Sequence, residues 1–170
     1  MKALRIIYLT LLLLLVIACT DKSKKAIAII QPKSNSTITG KVTFNEKNGI
    51  VKMEATITNA LEGNHAIHIH AEGDCSAPDG KSAGGHWNPT NQSHGKWEKQ
   101  PFHIGDIGNI VIAADGKGTI TRETDLWCIG CDDETKNIIG KAIIIHQGPD
   151  DFTSQPAGAA GARIGCGVIE

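Results

Sequence analysis

Two histidines stand two apart, His68 and His70, inside the alternating run Ala66-Ile67-His68-Ile69-His70. Such alternation predicts a β-strand, whose period of two puts both imidazoles on one face and Ile67 and Ile69 on the other. Side-by-side imidazoles on a rigid strand can chelate a metal ion. His86, His94, His103 and His146 follow, and Asp106 lies three residues past His103. These seven side chains supply nitrogen and oxygen donors enough for two ions. Imidazole suits copper and zinc, imidazoles joined by a carboxylate suit zinc, and no thiolate belongs to the set. His65, three residues before His68, faces the other side of the strand and is expected to be a core histidine bonded to backbone.

The elements that must hold these donors read as short strands. Ala26 to Gln31 is a brief apolar run, Ser36 to Phe44 alternates, Glu46-Lys47-Asn48-Gly49 has hairpin-turn chemistry, and Ile50 to Thr58 alternates again before the histidine strand. From Ala71 to about Phe102 the periodicity stops in a Gly- and Pro-rich stretch that carries His86 and His94. A loop of roughly thirty residues in a compact domain is normally functional or disordered, and metal ligands with a cysteine at 75 favour order. Strand patterns return at Asp106 to Ala113, Thr119 to Thr124, Ile138 to His146 and Arg163 to Ile169, with a second Gly-, Ala- and Pro-rich loop over 148–162. Eight short strands without an amphipathic helix predict an all-β, antiparallel sandwich or barrel.

The 170-residue chain opens with Lys2 and Arg5, an apolar run from Ile6 to Ala18, and Cys19. This is the pattern of a secretory signal over 1–18, too short and too terminal for a spanning helix. Val16-Ile17-Ala18-Cys19 resembles a bacterial lipobox, which makes Cys19 the expected lipidated residue, followed by a polar tether to residue 25 and one domain over 26–170. The expected location is the bacterial cell envelope, on its periplasmic or outer-membrane side, with the membrane as a partner through Cys19. Loss of Lys2 and Arg5 takes the net charge from −1 to −3, which implies no nucleic-acid partner. With Cys19 lipidated, Cys75, Cys128, Cys131 and Cys166 remain in an oxidising compartment. Four cysteines allow three pairings, and the short spacing of Cys128 and Cys131 favours joining them, which leaves Cys75 with Cys166.

Gly63-x-His65-x-x-His68-x-His70, Gly84-Gly85-His86-Trp87-Asn88-Pro89, His94-Gly95, His103-x-Gly105-Asp106-x-Gly108-Asn109 and Gly161-Ala162-Arg163-Ile164-Gly165-Cys166-Gly167-Val168-Ile169 together resemble the copper/zinc superoxide dismutase family. The resemblance runs from about residue 26 to 169 and implies an eight-stranded Greek-key β-sandwich or barrel with two long functional loops. It implies copper held by His68, His70, His86 and His146, zinc held by His86, His94, His103 and Asp106, and His86 shared between them. Cys75 and Cys166 match the family disulfide, Asp150 a carboxylate linking one ligand of each metal, and Arg163 the guanidinium that guides the substrate anion. The implied activity is disproportionation of superoxide to dioxygen and hydrogen peroxide by alternating copper reduction and oxidation, with zinc as structural and electrostatic partner. Arg163, His86 and His146 are the residues expected to serve that reaction.

Three features depart from the family pattern. The stretch from Asp150 to Arg163 is short, with Ser154, Gln155 and Pro156 where many eukaryotic members carry an acidic pair and a lysine. The loop around Cys75 is redistributed, so a homodimer is compatible with the resemblance but its contacts do not carry over. Cys128 and Cys131 are additional. A non-catalytic copper- or zinc-binding protein of the same fold is the alternative; lost catalysis would show as a missing ligand or arginine, and none is missing. A copper-handling protein would carry a Met-x-Cys-x-x-Cys entry site, whereas Leu126-Trp127 precede Cys128.

Overall fold

Ala26, Ala28 and Ile30 are buried while Lys25, Ile29 and Gln31 are exposed, which makes Lys24–Pro32 a strand with one face on a core, β1. The computed structural model describes residues 23–170, so the expected signal segment and Cys19 lie outside the described residues, and Lys24 and Lys25 of the expected tether are already paired in β1. The same two-residue period buries Val42 and Phe44 in β2 (Thr39–Lys47) and Val51, Met53, Ala55 and Ile57 in β3 (Ile50–Thr58). Asn48 and Gly49 join these two with φ of 54° and 76°, the pair of left-handed residues that matches hairpin twist.

The remaining strands are β4 (Gly63–His70), β5 (Gly108–Ile112), β6 (Gly118–Thr124), β7 (Ala142–His146) and β8 (Arg163–Val168). Their order is β5-β4-β7-β8-β1-β2-β3-β6, antiparallel throughout. β3 pairs with β6 rather than β4, and β4 with β7, so the chain crosses as a Greek key. β5 and β6, at the two ends of the order, lie alongside one another and nearly close a barrel. β1 and β8 run antiparallel: Ile27 exchanges backbone hydrogen bonds with Glu170 at one end, and Lys33 N–H donates to Ile164 O at the other.

The barrel interior holds Phe44, Met53, Ile67, Ile69, Ile143, Ile145 and Trp127, with Phe44 and Trp127 edge to face at 6.2 Å. Each fully buried isoleucine contributes roughly 1.5–3 kcal/mol. A smaller cluster sits outside the barrel, where Ala83 packs on Ala142, Ile144 and Cys166. Ala83 ends a short 3-10 turn, Lys81–Ala83, in the long loop after β4. That turn and the Cys75–Cys166 disulfide, Cα–Cα 5.8 Å, dock the loop on the outer face of β7 and β8.

The expected strand over 138–146 begins only at Ala142. Lys141 N–H donates to Ile138 O and Gly140 has φ 75°, so the chain turns there while Ile138 still fills the core. Cys128 and Cys131 are joined, Cα–Cα 6.0 Å, in a loop also held by Asn137, whose side chain accepts from Gly130 N–H and donates to Cys131 O. Ile129 between them donates its N–H to Glu46 and accepts from Lys24 Nζ.

Candidate metal centre

β4 positions the first two donors. Ile67 and Ile69 point into the barrel, so His68 and His70 must face outward beneath the long loops, where both are nonetheless buried. His146 ends β7 on the same outward face as Ala142 and Ile144, and a register shift between Ile145 and His146 brings Arg163 of β8 opposite it. His86 arrives from the long loop through a bridge with His70, and Trp87 N–H donates to Ile69 O. Ile69 N–H in turn donates to Gly105 O, and Gly105 N–H to Trp87 O, which ties the chain before Asp106 to the same place. These bonds bring together two groups: His68, His70, His86 and His146, and His86, His94, His103 and Asp106, with one donor atom from each residue within 4.8 Å of the others in its group. His65 lies apart, its ring nitrogens each 2.9 Å from the carbonyl oxygens of His146 and Leu61.

The hydrogen bonds dictate which nitrogen of each ring is free. His70 Nδ1 donates to Gly84 O (2.9 Å), His146 Nδ1 to Gly161 O (3.3 Å) and His103 Nε2 to Gln92 O (3.1 Å). His68 Nε2 and His94 Nε2 donate to the two oxygens of Asp150, each at 2.9 Å. A carbonyl or carboxylate can only accept, so each of these rings carries a proton there, and its other nitrogen is the one that faces the group. Among the described residues, six buried imidazole nitrogens make no hydrogen bond of good geometry, His68 Nδ1, His70 Nε2, His86 Nε2, His94 Nδ1, His103 Nδ1 and His146 Nε2, although those of His94 and His103 lie 3.0 and 3.2 Å from Asp106 Oδ1. An unpaired buried polar atom costs about 1–3 kcal/mol, so six together mark an inner face built for cations.

The second group has the dimensions of a metal shell. Nδ1 of His86, His94 and His103 lie 2.8, 3.0 and 3.2 Å from Asp106 Oδ1. Ligands about 2.0–2.1 Å from a tetrahedral zinc would stand roughly 3.3 Å apart. Asp106 Oδ2 accepts from the backbone N–H groups of Gly95 (3.0 Å) and His103 (2.8 Å), which leaves Oδ1 aimed inward.

In the metal-free chain burial pushes His86 down to about 4 and His146 down to about 3, and burial likewise carries His70 well below the usual imidazole range. Neighbouring imidazoles lower all three further, so these rings are neutral and able to ligate at ordinary pH. Burial would lower His94 too, but Asp106 and Asp150 together outweigh it and raise it to about 9. Burial opposes ionisation of Asp106 and Asp150, yet the histidine bonds dominate and hold both well below the usual carboxylate range.

Asp150 reaches one histidine of each group. Its backbone is fixed by Asn109, whose side chain donates to Asp150 O (2.9 Å) and accepts from Asp150 N–H (2.7 Å). Gly158 closes over it so tightly that a Cβ there would lie 2.0 Å from Asp150 Oδ1 and 2.8 Å from His94 Nε2. Arg163 donates from Nη1 to Gly80 O (2.9 Å) and from Nη2 to Gly84 O (2.7 Å). It is the cation lining a cleft of about 600 Å³ that opens onto His70, His86 and His146, whose rim carries the amides of Asn88, Asn91, Gln92 and Gln155. Asn109 and Gln155 were not among the sequence candidates, because neither stands in a spacing that suggests contact with a ligand.

The model of the copper/zinc superoxide dismutase family matches residues 38–169. The chain belongs to that family. Copper and zinc are its metals, and the mixed imidazole–carboxylate group and the all-imidazole group fit that pair. The chain is 34% identical over 153 residues to a Cu-Zn superoxide dismutase of Mesembryanthemum crystallinum, covering 85% of this chain and 94% of the relative. It is 37% identical over 135 residues to one of Caulobacter vibrioides, covering 77% and 78%. A solved structure of the clock protein EA4 superposes with a TM-score of 0.76 at 32% identity, over 85% of this chain and 92% of that one.

Proposed function

We propose that this protein disproportionates superoxide to dioxygen and hydrogen peroxide, with copper on His68, His70, His86 and His146 and zinc on His86, His94, His103 and Asp106. The observation that carries the assignment is the convergence of six buried imidazoles and Asp106 into two groups that share His86, with the outer nitrogens of five of the rings engaged elsewhere. Bound copper supplies one-electron chemistry between two oxidation states, and bound zinc, which has none, supplies charge and order.

The residues divide the remaining work. Arg163 offers a guanidinium to a small anion at the cleft floor, held in place by Gly80 O and Gly84 O. His86 has Nδ1 on Asp106 Oδ1 and leaves Nε2 for the other group, so it is the side chain that links the two. Asp150 fixes the tautomers of His68 and His94 at once. Removal of superoxide by purified protein loaded with both metals tests the function; a fully loaded protein without that activity refutes it.

We further propose that the mature protein is a lipoprotein of the bacterial envelope. Lys2, Arg5, the run to Ala18 and Cys19 support this, as does the fact that β1 begins at Lys24, soon after Cys19. Stable anchoring needs more than one acyl chain, which lipidation at an N-terminal cysteine provides. Cys19→Ala should yield released protein or unprocessed precursor; an unmodified Cys19 in mature protein, read by mass spectrometry, refutes the anchor.

A further inference from the structure

We propose that Gln155 is a positioning residue for His94, and that through it the 147–162 loop sets how firmly zinc is held; this rests on the assignment of His94 to the zinc group. The other ligands have backbones fixed by nearby structure. His68 and His70 lie in β4, His146 in β7, His86 is bridged to His70, and His103 donates its N–H to Asp106. His94 lies outside any strand or turn and is buried next to the exposed Gln92, Ser93 and Lys96; Asp106 holds the N–H of the next residue, Gly95, but not the N–H or the carbonyl of His94 itself.

Gln155 takes the place of a neighbouring strand. His94 N–H donates to Gln155 Oε1 and Gln155 Nε2 donates to His94 O, both at 2.9 Å. The amide thus closes on the ligand's own backbone as a paired peptide would. Gln155 Nε2 also reaches Thr153 O at 3.4 Å, so both donors of its amide are engaged although the residue lines the cleft. The ring of His94 is held from the same loop, by Asp150 Oδ1 at 2.9 Å. With backbone and Nε2 both engaged by one loop, the remaining nitrogen, Nδ1, has a single direction available, toward Asp106. Removal of a partner that orients a metal ligand typically costs 10- to 100-fold in affinity.

The test compares Gln155→Leu and Gln155→Glu with wild type in the purified, fully loaded protein. Leucine removes both bonds at similar size. Glutamate keeps the oxygen that accepts from His94 N–H but sets a second oxygen against the carbonyls of His94 and Thr153. Zinc transfer to a chromogenic chelator should be about tenfold faster or more in both variants, and the visible bands of protein carrying cobalt(II) in place of zinc should shift. Copper content should not change. Wild-type zinc release with an unchanged cobalt spectrum overturns the proposal, even if the melting temperature drops, because Gln155 would then only tie two loops together. Should one variant fail to fold, the other decides. His94→Ala in parallel separates the layers: if it retains zinc like wild type, the zinc assignment itself is wrong, whereas zinc loss there with none in the Gln155 variants refutes the positioning role alone.

Discussion

Arg163 and His70 share one acceptor, the carbonyl oxygen of Gly84, which takes Nη2–H of the arginine at 2.7 Å and Nδ1–H of the histidine at 2.9 Å. The same atom therefore aims the guanidinium and fixes the tautomer of an imidazole proposed here to hold copper. Arg163→Gln should lower kcat/KM for superoxide by roughly tenfold to a hundredfold, the value of a charge-assisted hydrogen bond, while copper and zinc content stay at wild-type levels. Loss of metal together with activity would show that the shared carbonyl, rather than the positive charge, is what the arginine serves.

Three substitutions should leave different metal signatures. His146→Ala should weaken copper and abolish activity with zinc retained, because His146 belongs to one group only. Asp106→Ala should weaken zinc while copper keeps its four imidazoles. His86→Ala should damage both, since His86 belongs to both groups. Metal content after full reloading decides, and tight binding of both ions by His86→Ala would rule out the shared ligand.

Asp150→Asn should loosen both metals at once. An amide can still accept from one histidine but presents its NH2 to the other, so one ring must turn; a 10- to 100-fold loss of affinity is expected. Gly158→Ala should act in the same direction, since its Cβ would stand 2.0 Å from Asp150 Oδ1 at a φ of 67°. Competition titrations with a chelator measure both effects.

The two disulfides should differ in weight. Cys75–Cys166 spans a sequence separation of 91 and Cys128–Cys131 one of 3. Loop entropy assigns about 4–5 kcal/mol to the first and about 2 kcal/mol to the second. Asn137, Lys24 and Glu46 hold the small loop without sulfur. The double Cys128→Ser, Cys131→Ser variant should melt well above Cys75→Ser and keep its copper; equal melting temperatures would count against this.

Metal-free protein should be most stable near neutrality. Asp106 and Asp150 ionise below their ordinary range, so their contribution is present above it and is lost as pH falls. His86 and His146, lowered to about 4 and about 3, resist protons that the unfolded chain accepts below about 6.5, which adds to the acid loss. His94, raised to about 9, works on the other side: its contribution is full below about 6.5 and fades as pH rises through 9. Melting curves of the demetallated protein from pH 4 to 10 should show a maximum, and a flat profile would contradict these shifts.

Local pattern made much of this legible. Alternation at 66–70 placed His68 and His70 opposite Ile67 and Ile69, and the Asn48-Gly49 hairpin followed from turn chemistry. The three-residue offset of His65 also told correctly that its ring bonds to backbone. What stayed hidden depends on distant parts meeting. The long apolar run before His146 concealed the turn at Gly140, because Ile138 is as buried as a strand residue without being one. Gln155 read only as a missing charge, since its 61-residue separation from His94 has no periodicity to announce it.

β1 enters the barrel at Lys24 and leaves at Pro32, and at that far end Lys33 and Ser34 bond to Ile164 and Arg163. Eight steps of about 3.3 Å make this strand a spacer of roughly 26 Å. Anionic headgroups project a negative field that decays over a Debye length of about 8–10 Å in physiological salt. A chain anchored ahead of Lys24 would thus carry the arginine end of its cleft several screening lengths from the lipid, where a small anion can reach it without first climbing the repulsion of the membrane that holds the protein.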